Sequence, residues 1–387
     1  MVVLVSIDGF SWDYLAKGYY PTPTLDAFRA KGVTAQLHPQ FPTKTFPNHY
    51  SIITGLYPEK HGIVGNVFWD PVMEKTFSLS DAVGMRDPDW WGGDPLWNLA
   101  NRSGLITASY FWPGSETWIN GTRPNYVKVY NSSVPSIKRV EQVLTWLDMP
   151  SSRRPSFITM YFSDVDTAGH RYGPDSYAVA NAVADLDSSL GTLFYGITAR
   201  QSALDIHTIV VSDHGMQTIA GGVFLDDYIP ESTLAGFRMP DMNTASVNIW
   251  LDESQVPDVM LALKDMKNAK AYQKSQIPPA LHFNDSIRIA PIFIIADVGY
   301  LITTRRTWSQ HPALLTGGSH GWDPKNPNMT GIFLAQGSRF PASSNIKSFQ
   351  NIEVYNLISE ILGITPTPNN GTSPYLPDIL KAKTKST

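Results

Sequence analysis

The chain of 387 residues is 42% hydrophobic and 12% aromatic, carries a formal charge of −4 and contains no cysteine. That is enough apolar material for one large α/β domain or two ordinary ones, and it excludes a disordered chain or a small stapled scaffold. The lack of a basic field argues against a nucleic-acid polymer as the main partner, although a local cationic pocket for a small anion stays open. Without thiolates, any metal must be held by His, Asp, Glu or hydroxyl oxygen.

The chain opens on "MVVLVSIDGF", which reads as a strand with no charged leader ahead of a long apolar stretch. No later run reaches the roughly 20 apolar residues of a membrane span. No span is therefore expected, and an exported protein of this sequence would have lost its signal or anchor. Strand-like and helix-like patterns then alternate: "VVLVSID" with "TPTLDAFRAKG", "GLITASYF" with "SIKRVEQVLTWLDM", "SFITMYF" with "DSYAVANAVADLDSSLGTLFYGI", and "HTIVVSD" later. Such alternation predicts an α/β protein with a mostly parallel central sheet and helices on both faces. Aromatic, Gly- and Pro-rich insertions near 67–95 and 111–135 are too long for simple connectors and are expected to build or cover a site. A third segment near 240–310, with "ASVNIWL", "QVPDVMLALKDMK" and "SIRIAPIFIIADVGYLIT", predicts a small inserted subdomain before the sheet resumes at "TGIFLAQG". Sequons at Asn101, Asn120, Asn131, Asn284, Asn328 and Asn370 suggest a secreted or lumenal glycoprotein.

In open α/β sheets functional groups gather beyond the carboxyl ends of the strands. Asp8 ends "VVLVSID", Asp166 and His170 follow "SFITMYF", Asp213 and His214 end "HTIVVSDHG", and His320 lies in "TGGSHGWD". Singly, each has a plainer role: Asp8 as a turn cap, His214 as a satisfied interior imidazole, His320 as a loop residue. Jointly, carboxylates facing one another would repel unless cations neutralised them, so the set is easiest to understand as a metal site. Mixed His and Asp ligands without sulfur suit zinc, and manganese or iron less well. In "FPTKTFPNHYSIITG", Thr45 stands near a helix N-terminus that favours anionic charge. A lone Thr there is an ordinary cap; beside metal ions the same hydroxyl becomes a competent nucleophile. Phe46 offers a ring face, and Lys44 and Asn66 are candidates for phosphoryl oxygens.

Together these segments resemble the nucleotide pyrophosphatase/phosphodiesterase family of the alkaline phosphatase superfamily. The resemblance runs from "VSIDGF" through "FPTKTFPNHYSIITGLYPEKHGI", "YFWPGSE", "DVDTAGHRYGP", "VVSDHGM" and "GSHGWD" to "PNNGT". It implies a single phosphodiesterase catalytic domain over 1–387 with two zinc ions, one bound by Asp166, His170 and His320 and the other by Asp8, Thr45, Asp213 and His214. Thr45 matches the family nucleophile. Asn66 matches the side chain that hydrogen-bonds a phosphate oxygen, with the backbone N–H after Thr45 expected to help.

The implied activity is hydrolysis of nucleoside triphosphates and nucleotide phosphodiesters at the α-phosphate. It gives nucleoside 5′-monophosphates, such as AMP and pyrophosphate from ATP, through a nucleotidyl-threonine. For the base, Phe46 with Trp90 or Trp91 and Tyr110 or Phe111 are the expected ring faces, and Asp94 a candidate reader of a base amino group. The retained segment "WPGSETWINGTRPNYVKVYN" favours nucleotides, because the family shortens it in its lysophospholipid-directed member. A choline- or lysophospholipid-directed phosphodiesterase on the same metals, or a catalytically silent extracellular binding protein, are the alternatives. A monomer, free or on the outer face of a membrane, is expected.

Overall fold

The computed structural model describes residues 1–16, 18–311, 316–372 and 379–381. At its centre is a nine-stranded sheet in the order Ser344–Asn345, Val33–His38, Gly331–Gln336, His207–Val211, Val2–Ile7, Phe157–Phe162, Thr107–Tyr110, Tyr126–Lys128, with Phe349–Gln350 also pairing Val33–His38. Val2–Ile7 runs parallel to both of its neighbours. Gly331–Gln336 alone runs against its neighbours, Val33–His38 and His207–Val211.

The central strands are buried throughout because both faces are covered. Alternation along the first strand divides its side chains. Val2 and Leu4 enter a core completed by Ile52, Ile53 and Leu357, while Val3, Val5 and Ile7 enter another with Val140, Val183 and Leu190. On the second face the long helix Tyr177–Arg200 buries Val179, Val183, Leu186, Leu190 and Leu193, a helical spacing, and Ser176 caps it by accepting from the Val179 N–H. The first face is covered by Thr45–Thr54, Leu96–Arg102 and Glu353–Leu362.

Ser246–Ile249, Ile292–Ala296 and Ala269–Gln273 form a separate antiparallel sheet with its own core of Val247, Ile249, Val259, Ile292 and Ile294. The 67–95 insertion contains the hairpin Val67–Asp70 and Lys75–Ser78, followed by short 3-10 turns at Gly84–Arg86 and Pro88–Trp90. Arg288, from the segment of the small sheet, reaches back into it. Its Nε donates to Asp70 Oδ2 at 2.7 Å, and its Nη atoms donate to the carbonyls of Gly62, Trp90 and Asp89. None of the sequon asparagines is buried. Among the described residues no helix is long and apolar enough to cross a membrane.

Candidate metal centre and substrate cleft

The parallel strands deliver their carboxyl ends to one rim. Asp8 follows Val2–Ile7, the helix Asp164–Tyr172 follows Phe157–Phe162, and Asp213 and His214 follow His207–Val211. His320 reaches the same rim because the strand after it, Gly331–Gln336, runs the other way. The structure thereby gathers Asp8, Asp213 and His214 into one group and Asp166, His170 and His320 into another. Within each group the ligand atoms lie within 4.8 Å of one another. Asp166 and His170 share a helix face at i,i+4, with Nε2 and Oδ2 3.5 Å apart. Gly9 is required beside them: it has φ +64°, and a Cβ there would stand 2.9 Å from the Asp166 Cβ.

The donor chemistry fits cations. Each imidazole has its Nδ1 against a backbone carbonyl: His170 on Gly318 at 3.0 Å, His214 on Gly215 at 2.8 Å, His320 on Thr43 at 2.8 Å. With Nδ1 donating, Nε2 is the lone-pair nitrogen, and in all three it faces the site. His170 Nε2 and His320 Nε2 then approach to 3.1 Å, two lone pairs nose to nose. Asp8 Oδ1, Asp166 Oδ1 and Asp213 Oδ2 are buried without a hydrogen-bond partner. Divalent cations would satisfy these atoms.

The protonation tendencies of the protein alone carry the same strain. Burial pushes the Asp8 carboxyl well up, and the nearby Asp213 and Asp166 charges push it further. Burial raises Asp213 as well, but His214 and His49 outweigh it and hold that carboxyl well below the usual range. Burial drives His320 down, reinforced by His214 and His170. The rings of His214 and His320, one from each group, stack at 3.6 Å and 15°.

Thr45 opens the helix Thr45–Thr54, and its Oγ1 lies 3.4 Å from His214 Nε2, on the Asp8, Asp213 and His214 side. Asn66 faces the same point. The Phe46 N–H, expected from the sequence to help Asn66 stabilise a phosphoryl oxygen, donates to Asn66 Oδ1 at 2.9 Å. That bond turns the Asn66 NH2 outward as the remaining donor.

Beside these groups opens a cleft of about 310 Å³ lined by Thr45, Phe46, Asn66, Trp91, Phe111 and Tyr130, among others. Of the predicted contact residues, Phe46 and Asn66 line it, as do Trp91 and Phe111, each named as one of two alternatives. Four others do not. Lys44 is buried and paired with Asp241 at 2.6 Å, so its charge is spent on that carboxylate. Trp90 turns into the core, its Nε1 on the Gly84 carbonyl, and Trp91 takes the cleft position. Asp94 is held by Arg102, whose Nη1 donates to Oδ1 at 2.9 Å. Tyr110 packs on Trp146, and Phe111, at φ +74° just past the end of its strand, lines the cleft instead.

Sequence reasoning missed His49, Tyr161, Tyr130 and the pair Arg86 and Glu116. His49 Nδ1 lies 2.9 Å from the Thr45 carbonyl and 3.3 Å from Asp213 Oδ2, and Tyr161 donates its hydroxyl to Asp8. The position of His49, one helical turn after Thr45, was the readable signal. Tyr161 alternates with strand residues that face the core, and nothing in the pattern marks it.

The sequence profile described as type I phosphodiesterase / nucleotide pyrophosphatase matches residues 2–323. A venom phosphodiesterase of Macrovipera lebetinus is 37% identical over 388 residues, 98% of this chain and 45% of the relative. Ectonucleotide pyrophosphatase/phosphodiesterase family member 3 of Rattus norvegicus is 38% identical over 390 residues, 98% of this chain and 44% of the relative. The chain thus spans less than half the length of these curated relatives. Among solved structures, murine ectonucleotide pyrophosphatase / phosphodiesterase 5 superposes with a TM-score of 0.90 at 31% identity, covering 98% of this chain and 100% of the other. An inactive variant of that murine protein in complex with AMP gives the same score and identity, covering 98% and 99%.

Proposed function

Because the chain belongs to the type I phosphodiesterase / nucleotide pyrophosphatase family, we propose that it is a zinc-dependent hydrolase of nucleoside triphosphates and nucleotide phosphodiesters, releasing nucleoside 5′-monophosphates. The observation that carries this reading is the Thr45 hydroxyl at the junction of two cation-ready groups and a ring-lined cleft. Asp166, His170 and His320 would hold one zinc, and Asp8, Asp213, His214 and Thr45 the other. When bound, such a pair neutralises the clustered carboxylates and stabilises the attacking and leaving oxygens of an in-line displacement.

The chain's own residues do the rest. Thr45 Oγ, its proton lost to solvent, attacks the α-phosphorus, the P–O bond to the leaving group breaks with its electron pair staying on the leaving oxygen, and a nucleotidyl-threonine forms. Water then attacks the phosphorus from the opposite side and returns the hydroxyl to Thr45. The start of the Thr45–Thr54 helix favours negative charge on Thr45 and the phosphoryl oxygens. Asn66, its amide turned by the Phe46 N–H, is pre-oriented to donate to a phosphoryl oxygen. Phe46, Trp91, Phe111 and Tyr130 supply ring faces for a nucleobase, which supports nucleotides over choline or lipid esters. The venom and ectoenzyme names of the relatives, with the unburied sequons, support an extracellular glycoprotein.

ATP, the p-nitrophenyl ester of thymidine 5′-monophosphate and p-nitrophenylphosphorylcholine, assayed side by side with elemental analysis, test the proposal. Cleavage of the first two over the third, with about two zinc per chain, is expected. No cleavage with zinc present, or full activity of Thr45→Ala, overturns it.

A further inference from the structure

The two long insertions meet over the cleft at one carboxylate. Trp90 Nε1 and Trp91 Nε1 donate to the carbonyls of Gly84 and Met85 at 3.1 and 2.8 Å, fixing the turn Gly84–Arg86 from beneath. From that turn Arg86 crosses to the other insertion, where its Nε donates to Glu116 Oε2 at 3.0 Å. The second oxygen, Glu116 Oε1, accepts the backbone N–H of Tyr130 at 2.7 Å. Glu116 is 12% exposed, whereas Tyr130 is 42% exposed and follows the edge strand Tyr126–Lys128. The ring of Tyr130 also lies 5.2 Å from Phe111 and 6.2 Å from Tyr161 between centroids, and its hydroxyl lies 3.3 Å from Ser163 Oγ.

Both carboxylate oxygens are therefore used to join the turn bearing Arg86 to the residue bearing an exposed cleft ring. A carboxylate that accepts a guanidinium and an amide together is well suited to fix a loop, since each bond is charge-assisted and pre-orients the other. We propose that Arg86, Glu116 and Tyr130 form a latch that holds the Tyr130 ring over the cleft, making Glu116 a positioning residue for the planar ring of the substrate. The latch rests on the nucleotide reading above and adds a prediction to it: selectivity for ring-bearing esters depends on a residue that need not touch the ring. A ring wall held in advance loses less freedom on binding than one that must be ordered by the ligand.

The test compares the p-nitrophenyl ester of thymidine 5′-monophosphate with methyl p-nitrophenyl phosphate, which offers the same leaving group and no ring to the cleft. The readout is the ratio of their kcat/KM values in the parent, Glu116→Ala, Glu116→Gln and Arg86→Met. AMP binding by calorimetry gives a readout without turnover, and melting temperature checks the fold. Glu116→Ala is expected to lower the ratio about tenfold, mainly through KM for the nucleoside ester, and to weaken AMP binding in parallel. Glu116→Gln, which still has an oxygen for the Tyr130 N–H, is expected to recover part of the loss. A Glu116→Ala protein that folds and keeps the parental ratio and AMP affinity overturns the latch alone. A parent that cleaves the methyl ester but neither prefers the nucleoside ester nor binds AMP overturns the nucleotide reading, and the latch with it.

Discussion

Arg288 offers the sharpest stability prediction. It is 9% exposed and joins the small-sheet segment to the insertion that carries Trp91. Arg288→Leu keeps an apolar body but strips the buried Asp70 carboxylate of its cation and leaves the carbonyls of Gly62, Asp89 and Trp90 short of a donor. Breaking a buried pair by removing one partner costs about 3–5 kcal/mol, and the orphaned carbonyls add to it, for a total of about 4–6 kcal/mol. With about 2.1 cal/mol/K of unfolding entropy per residue, that is a fall of about 5–7 °C in melting temperature for a chain of this size. Calorimetry on Arg288→Leu, Asp70→Leu and the double variant measures it. The double is expected to be less destabilised than the two singles summed, because no buried charge is then left alone. A loss under about 1 kcal/mol for Arg288→Leu, or strict additivity, refutes the reasoning.

Thr45→Ala is expected to lose at least about 10³-fold in phosphodiester hydrolysis while its bound metal, read by elemental analysis, falls by less than half. His170→Ala should bind about one metal ion per chain where the parent binds about two, with an unchanged far-ultraviolet circular dichroism spectrum. Lys44→Met should leave KM for nucleotides within about twofold, because the Lys44 charge is already taken by Asp241; a tenfold rise would return Lys44 to the substrate site. The last concerns acid. Burial pushes the Asp70 carboxyl up, but the Met73 and Val72 amides and Arg288 more than offset it and hold it below its ordinary value. A depressed carboxyl stabilises fully above its unfolded value, about 3.9, and that contribution disappears as pH falls through the native one. The gap in melting temperature between the parent and Asp70→Asn is therefore expected to be constant from pH 7 to about 5 and to narrow below about 4.

That Asp8, Asp166, His170, Asp213, His214 and His320 share one rim was legible because the rule behind it concerns the backbone: a parallel strand delivers whatever follows it to one edge, and Asp8 follows Val2–Ile7 while Asp213 and His214 come just after His207–Val211. Ring positions were less legible, because they depend on side-chain direction. Tyr110 and Phe111 are adjacent at a strand end, and only Phe111 lines the cleft, a choice that no periodicity carries. Trp90 and Trp91 both bond the turn at Gly84–Arg86, and only packing against Phe68 and Arg288 turns Trp90 inward. Arg86 and Glu116 are thirty residues apart on irregular segments, where no period links one to the other. The reversed strand Gly331–Gln336 also escaped periodicity, since an apolar run has no readable direction.

The long stretches of chain that separate the members of each group bear on how the protein matures. One group joins Asp8 to Asp213 and His214, and the other joins Asp166 and His170 to His320, so each spans more than 150 residues of chain. During synthesis the first strand and Thr45 emerge early, whereas the Asp8, Asp213 and His214 group is complete only once residue 214 has emerged and the Asp166, His170 and His320 group only once residue 320 has. Capture of the cations proposed above would therefore follow the folding of these distant segments, not precede it. A chain ending after His214 but before His320 would carry Thr45 with only the Asp8, Asp213 and His214 group beside it.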